Sequence, residues 1–263
     1  MPRVRLDSLL AERGLYESRS RAAAVVLAGS VRLGADGRRA EKAGQLVDAE
    51  VELAVDAPPP YVSRGGVKLA NALDALGLDV AGRTCLDVGA STGGFTDCLL
   101  QRGADAVVAL DVAYGELDYR LRSDPRVTVL ERVNARGLDC SALPFAPSLV
   151  VADVSFISLR KVLPAVLGCV AERFDCLAMV KPQFEVGRSR VGKGGVVRDP
   201  ALRREAVASV AECGRSLGCS VMGFASSGLP GPAGNLETFA WLAEGGRGGG
   251  VADVEAALAE AGV

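Results

Sequence analysis

Residues 86–111 read LDVGASTGGFTDCLLQRGADAVVALD, and the glycine-dense turn near their start decides the fold. Thr84 to Val88 is an apolar run of strand length, Phe95 to Arg102 has helical spacing, and Ala106 to Asp111 is a second apolar run. Strand, turn, helix and strand form the unit of a parallel sheet wound by helices, with a ligand resting on the turn.

Three readings of that turn compete. Gly89 to Gly93 matches the G-x-S-x-G nucleophile elbow, which needs a general base beside its serine. The chain has no histidine, so a Ser-His-Asp triad is excluded by composition. A phosphate loop needs Gly-Lys followed by Ser or Thr, and the Gly192-Lys193 pair is followed by Gly194. What remains is a nucleoside-type ligand, with Asp111 placed at the end of the second strand to take ribose hydroxyls. Ser91 and Thr92 occupy positions where a pyrophosphate site prefers bare backbone, so a ligand without phosphates fits better. S-adenosylmethionine suits Gly89, Ser91, Thr92, Gly93, Gly94 and Asp111, with its amino group directed to Asp87 or nearby main chain. The plainer alternative is that the glycines only make a turn.

Composition narrows the class. The chain has 263 residues, of which 49% are hydrophobic and 24% charged, enough for a large core or for a medium domain beside a small one. No apolar run reaches membrane-span length and the opening MPRVRLD lacks a secretory apolar stretch, so a cytoplasmic location and no membrane partner are expected. Seven cysteines without a C-x-x-C pair read as small core residues, with neither a disulfide framework nor a zinc site. The net charge of −2 hides a gradient: nine Arg or Lys stand against five Asp or Glu up to Lys42, and four acids with no base follow from Asp48 to Asp56.

Residues 1–57 read as a small α+β module of two helices and short strands, 58–62 as a proline-rich linker, and 63–263 as the larger α/β domain. Leu6, Leu9 and Leu10 make an apolar stripe, Gly14 stops the first helix, and Ser18 caps a second running to about Ala28. Arg3, Arg5, Arg19 and Arg21 cluster at the helix starts, where a cation opposes the helix dipole; contact with phosphate explains that placement.

Beyond the linker, helices are expected at Val67 to Leu76, Leu159 to Arg173 and Leu202 to Leu217. Further strands are expected at Val127 to Leu130, Ser148 to Ala152, Leu177 to Lys181 and Ser220 to Ala225. The tail EGGRGGGVADVEAALAEAGV reads as a flexible joint and a short helix. In such a fold the polar residues just past the strands are the ones to collect: Asp153, Lys181 and Glu237, with Lys68 one turn into a helix. A basic glycine-rich loop with Arg188, Arg190 and Lys193 follows Lys181 and reads as an RNA clamp or lid, to which Arg64 is added, with a plain solvated loop as the alternative. Tyr114 and Phe156 are candidates for stacking on a base, with core packing favoured for Phe156.

The segment RLDSLLAERGLYESRSRAAAVVLAGSVRL resembles the S-four-like RNA-binding domain. The Lys-Asp-Lys-Glu set with the glycine turn resembles the FtsJ-like RNA ribose 2′-O-methyltransferases. Together with YVSRGGVKL, ALDVAYGEL, VVADVSFISL, KPQFEVGR, KGGVVRD and GNLETF, the whole chain is similar to the TlyA family of ribosomal RNA 2′-O-methyltransferases, also labelled hemolysin A. The resemblance implies a Rossmann-like methyltransferase sheet, S-adenosylmethionine as cofactor, Lys68, Asp153, Lys181 and Glu237 as the catalytic tetrad, and cytidine 2′-hydroxyls of ribosomal subunits as substrates.

The chemistry is consistent with that set. A ribose hydroxyl is a poor nucleophile until it loses its proton, while a sulfonium methyl already has a good leaving group, so the enzyme must align a displacement and supply a base. Lys181 is the candidate base, Lys68 and Asp153 position and tune it, Glu237 bonds substrate or lysine, and no metal is required. The rivals are a small-molecule O-methyltransferase, a pore-forming hemolysin and a non-catalytic ribosome-assembly factor.

Overall fold

The computed structural model describes residues 3–27, 29–56 and 59–262. Ala28, the expected end of the second helix, and Ala57 and Pro58, at the expected linker, lie outside the described residues. The chain divides into two compact units, Met1–Pro59 and Pro60–Val263.

The first unit runs β1 (Arg3–Arg5), α1 (Leu6–Glu12), α2 (Arg19–Leu27), β2 (Val31–Leu33), β3 (Arg38–Arg39), β4 (Leu46–Asp48) and β5 (Leu53–Val55). Leu6, Leu9 and Leu10 are buried with Ala22 and Val26 of α2 and with Val31, Leu33 and Val47. Gly14 follows α1 at φ 69°, a left-handed conformation that glycine adopts without steric cost. The Ser18 hydroxyl accepts the Arg21 amide at 3.2 Å, the expected cap. β2 pairs antiparallel with β3 and β5, and β1 with β4. β1 and β4, three residues each, are too short for an alternating pattern to show in the sequence.

The second unit continues with α3 (Arg64–Leu76), β6 (Thr84–Val88), α4 (Gly94–Gln101), β7 (Ala106–Asp111), α5 (Tyr119–Arg122), β8 (Val127–Glu131), β9 (Leu149–Ala152), α6 (Leu163–Leu167), β10 (Asp175–Val180), α7 (Pro182–Glu185), α8 (Pro200–Ser216), β11 (Ser220–Ser226), β12 (Thr238–Ala243) and α9 (Val254–Glu260). Its strands form one sheet in the order β11-β12-β10-β9-β6-β7-β8. β10, β9, β6, β7 and β8 pair in parallel, and β12 runs antiparallel between β10 and β11. Apolar clusters cover both faces, which is why β9 and β10 are buried along their whole length and read as continuous apolar runs. The strand order reverses between β6 and β9, which opens a crevice at their carboxyl ends.

Four expectations are corrected. The helix expected over 159–173 is a 3₁₀ turn at Leu159–Lys161 followed by the five-residue α6, because Pro164 fits only a first helical turn and Gly168 ends the element. β12 went unread: its residues, TFAWLA, follow GNLE directly, and its place between two strands is set by topology. The glycine-rich tail is fastened: Arg247 ion-pairs with Asp175 and Glu244 and donates to the Phe174 carbonyl at 2.8 Å, and Leu258 of α9 is fully buried. Finally, Cys140 and Cys169 form a disulfide with Cα atoms 5.0 Å apart, joining the turns after β8 and after α6 across 29 residues. Cys85, Cys98 and Cys176 are buried thiols as read, and burial pushes Cys85 up to about 12 and Cys98 up to about 11.

Candidate active site

The glycine turn is built by backbone geometry. The amides of Gly89 and Ala90 both donate to the Leu110 carbonyl, at 2.8 and 3.1 Å, folding the turn over the end of β7. Gly89 has φ 86°, and a Cβ there would lie 2.4 Å from the Asp153 carbonyl oxygen, so only glycine lets the ends of β6 and β9 approach. Ser91 is also left-handed, at φ 47°. It is held by its amide on Asp111 Oδ2 at 2.7 Å and its hydroxyl on Glu116 Oε2 at 3.2 Å. Asp111 Oδ1 accepts the Ala113 amide at 2.8 Å.

Above this turn lies a cavity of about 360 Å³, whose polar lining includes Ser91, Asp111, Glu116, Asn134, Asp153 and Ser155. The lining holds three carboxylates and no lysine or arginine. Glu116, Asn134 and Ser155 escaped the sequence reading; each follows a strand end, and that position is the signal that marks them.

A second cavity of about 370 Å³ shares Gly89, Ser91 and Asp153 with the first and is lined by Lys68, Lys181, Glu237, Arg64 and Thr92. The four residues collected from the sequence meet here as two ion pairs. Lys68 of α3 pairs with Glu237, 169 positions away, their side chains 8% and 1% exposed. Lys181, just past β10, pairs with Asp153, just past β9, and also donates to the Ser155 hydroxyl at 2.9 Å.

Other expected residues fall differently. Thr92 and Gly94 line the second cavity, whereas Gly93 lines neither; a Cβ on it would meet Leu121 Cδ1 at 2.3 Å, so its smallness serves packing. Asp87 lies outside both cavities and is fully buried, its Oδ2 accepting the Thr96 amide at 2.9 Å and hydroxyl at 2.7 Å, while Oδ1 has no hydrogen-bond partner. Burial pushes its carboxyl up to about 7, against the Thr96 hydrogen bonds and with Asp153 and Asp111 adding negative charge nearby.

Phe156 is 93% exposed at φ 65° and packs its ring against Phe184 at 5.4 Å, which overturns the core-packing expectation: it lies past the strand end, on the rim of the first cavity. Tyr114 is also exposed, with the Arg132 guanidinium 4.3 Å from its ring centre.

Arg64 is exposed and donates to the Pro230 carbonyl at 2.7 Å. Arg188 and Lys193 are exposed on the loop after α7, but Arg190 is tied to the Val186 carbonyl and to Glu205. In the first unit Arg3, Arg5, Arg19 and Arg21 are all exposed. Arg5 and Arg19 converge on buried Asp7, whose carboxyl is lowered to about 2 chiefly by the Arg5 hydrogen bonds.

A mostly parallel sheet of this order carries an acid-lined cavity that shares Gly89, Ser91 and Asp153 with a lysine–carboxylate pocket, and the family matches make it a methyltransferase. Residues 61–244 match the FtsJ-like methyltransferase model and residues 4–53 the S4 domain model. The chain is 53% identical over 242 residues to the 16S/23S rRNA (cytidine-2′-O)-methyltransferase TlyA of Mycobacterium tuberculosis, covering 91% of this chain and 90% of that one. A structure named as a hemolysin from Streptococcus thermophilus is 37% identical with TM-score 0.74, covering 100% of this chain and 96% of that one. An S-adenosylmethionine-dependent methyltransferase from Mesorhizobium loti shares the fold at 15% identity and TM-score 0.51, covering 69% of this chain and 100% of that one. The chain belongs to the TlyA family of FtsJ-like methyltransferases with an S4 domain.

S-adenosylmethionine is the methyl donor of this class, and the charged residues lining the first cavity, Asp111, Glu116 and Asp153, are all acidic, which suits a cationic ligand.

Proposed function

We propose that the protein methylates ribose 2′-hydroxyls of cytidines in ribosomal RNA, with Lys181 as general base. The observation that carries this reading is the pair of lysine–carboxylate contacts, Lys68–Glu237 and Lys181–Asp153, facing one pocket that shares Gly89, Ser91 and Asp153 with the cofactor cavity. The substrate named for the Mycobacterium tuberculosis relative and the S4 domain support RNA as the methyl acceptor. A small-molecule methyltransferase has no use for such a module. Among the described residues no helix is long and apolar enough to cross a membrane.

S-adenosylmethionine, when bound, supplies an electrophilic methyl group on a sulfonium. Asp111 and Glu116 are placed to hold its ribose, and Asp153 borders both cavities. Asp153 and the Ser155 hydroxyl fix the Lys181 side chain, which in its neutral amine form takes the 2′-hydroxyl proton, becoming an ammonium paired with Asp153, as the oxygen becomes the nucleophile. Lys68, held rigidly by Glu237, orients the acceptor and stabilises the developing oxyanion. Exposed Phe156, backed by Phe184, presents a ring face on which a nucleobase stacks. Arg3, Arg21, Arg188 and Lys193 contact RNA phosphates.

The test is transfer of labelled methyl from S-adenosylmethionine to unmethylated small and large ribosomal subunits, comparing wild type with Lys181→Ala. Products are mapped by reverse-transcription stops at low nucleotide concentration. Incorporation at a cytidine ribose that vanishes in the variant supports the reading. No incorporation into either subunit, with the cofactor bound, rejects it.

A further inference from the structure

The basic loop after α7 is fastened at two places. Near its start Arg190 bonds the Val186 carbonyl at 2.8 Å and pairs with Glu205 of α8 at 2.7 Å. Near its end a single side chain does the fastening. Asn235, 2% exposed, accepts the Val197 amide on Oδ1 at 2.9 Å and donates from Nδ2 to the Gly195 carbonyl at 2.8 Å. Between these anchors lie Lys193 and Gly194, exposed, with Gly194 and Gly195 in left-handed conformations at φ 80° and 77°.

Asn235 also holds a turn that packs beside Glu237. Its carbonyl accepts the Gly231 amide at 2.8 Å, closing a turn. That turn packs on the tetrad: a Cβ on Gly231 would lie 2.7 Å from Glu237 Oε1, and Glu237 follows Asn235 by two positions. One carboxamide therefore joins the cationic loop to the turn beside the Lys68–Glu237 pair. Its two hydrogen bonds need one acceptor and one donor on the same planar group, which only Asn or Gln supplies, and Gln is a methylene too long for the fit.

We propose that Asn235 is a positioning residue for RNA: it locks the loop carrying Lys193 in place beside Glu237, so that a phosphate gripped by the loop sets the acceptor ribose against the tetrad. This rests on the RNA-methylation reading above. Asn235 lines neither of the two cavities around the tetrad and the cofactor turn, so its loss is expected to spare donor binding.

The experiment uses the full-length chain with Asn235→Ala and Asn235→Asp, the latter keeping the acceptor for Val197 and losing the donor to Gly195. Three quantities are read: the calorimetric Kd for S-adenosylmethionine, KM and kcat for ribosomal subunits, and the rate of limited trypsin cleavage at Lys193 without RNA. The expected result is a donor Kd within about twofold of wild type, faster cleavage at Lys193, and an RNA KM raised about tenfold in Asn235→Ala, the factor that 1.4 kcal/mol represents. Asn235→Asp falls between. In an Asn235→Ala background, Lys193→Ala adds less to KM than it does alone.

Unchanged trypsin rate and unchanged RNA KM overturn the proposal. So does a donor Kd weakened in step with the RNA KM, which marks general destabilisation. If Asn235→Ala does not fold, Asn235→Asp decides by the same readouts. A wild type inactive on both subunits rejects the substrate reading, and the trypsin measurement still decides the latch.

Discussion

Removing the charge of Glu237 tests whether the Lys68–Glu237 pair exists for stability or for chemistry. Glu237 and Lys68 expose only 1% and 8% of their side chains, so Glu237→Gln leaves an ammonium buried without its counter-ion. Breaking such a pair on one side costs about 3–5 kcal/mol, whereas replacing both members with apolar groups of similar volume is near neutral. For a unit of this size about 1 kcal/mol moves Tm by roughly 2–4 °C, so Glu237→Gln is expected to lower it by about 6–20 °C. The double variant Lys68→Met with Glu237→Leu is expected to melt within about 4 °C of wild type and to transfer no methyl group. The assays are differential scanning calorimetry and labelled-methyl transfer to ribosomal subunits. A Glu237→Gln loss below about 1 kcal/mol, or a double variant less stable than either single one, would refute the reasoning that an uncompensated buried charge dominates.

Three further outcomes are expected. Gly89→Ala places a Cβ 2.4 Å from the Asp153 carbonyl at φ 86°; with strain of about 1–3 kcal/mol at the turn, donor Kd rises at least tenfold by calorimetry, and unchanged affinity would show the turn is slack. Asp87 titrates near 7 in the folded chain, above its unfolded value of about 3.9, so its contribution favours the folded state most at low pH and declines as pH rises from about 4 to 7. Asp87→Asn is expected to flatten that slope in denaturant titrations, and an identical slope would place the carboxyl's titration elsewhere. Reduction of Cys140–Cys169, or Cys140→Ser, opens a 29-residue loop worth about 3–4 kcal/mol of unfolded-state entropy, read as a lower Tm in reductant; a Tm indifferent to reductant would show the bond does not form.

Legibility differed between fold and site for one reason. The strand at Thr84–Val88 and those near 106–111, 127–131 and 149–152 appear in the sequence because local periodicity and apolar runs depend on neighbours a few positions apart. Asp153 and Lys181 were legible as candidates because in a parallel sheet polar residues past strand ends share one rim, which the helix α3 with Lys68 and the start of antiparallel β12 after Glu237 also reach. Phe156 was misread because its neighbours Val154 and Ile157 are apolar, and only the strained turn shows its ring facing outward. For Arg190 a charge gives no sign in the sequence that it pairs with Glu205 of α8.

By itself, then, the sequence determined the alternating α/β architecture, the two-helix module in front of it, the glycine turn between β6 and α4, and the identities of the four polar residues at the rim. Only the tertiary structure decided which lysine meets which carboxylate, that Cys140 reaches Cys169, that Asp87 is sealed beneath the turn instead of lining the cavity, and that Asn235 spans the basic loop. The physical reason is range. Backbone propensity and hydrophobic periodicity act over a handful of residues, whereas these partnerships span up to 169 positions and are set by a strand order that brings the ends of β6, β9, β10 and β12 together.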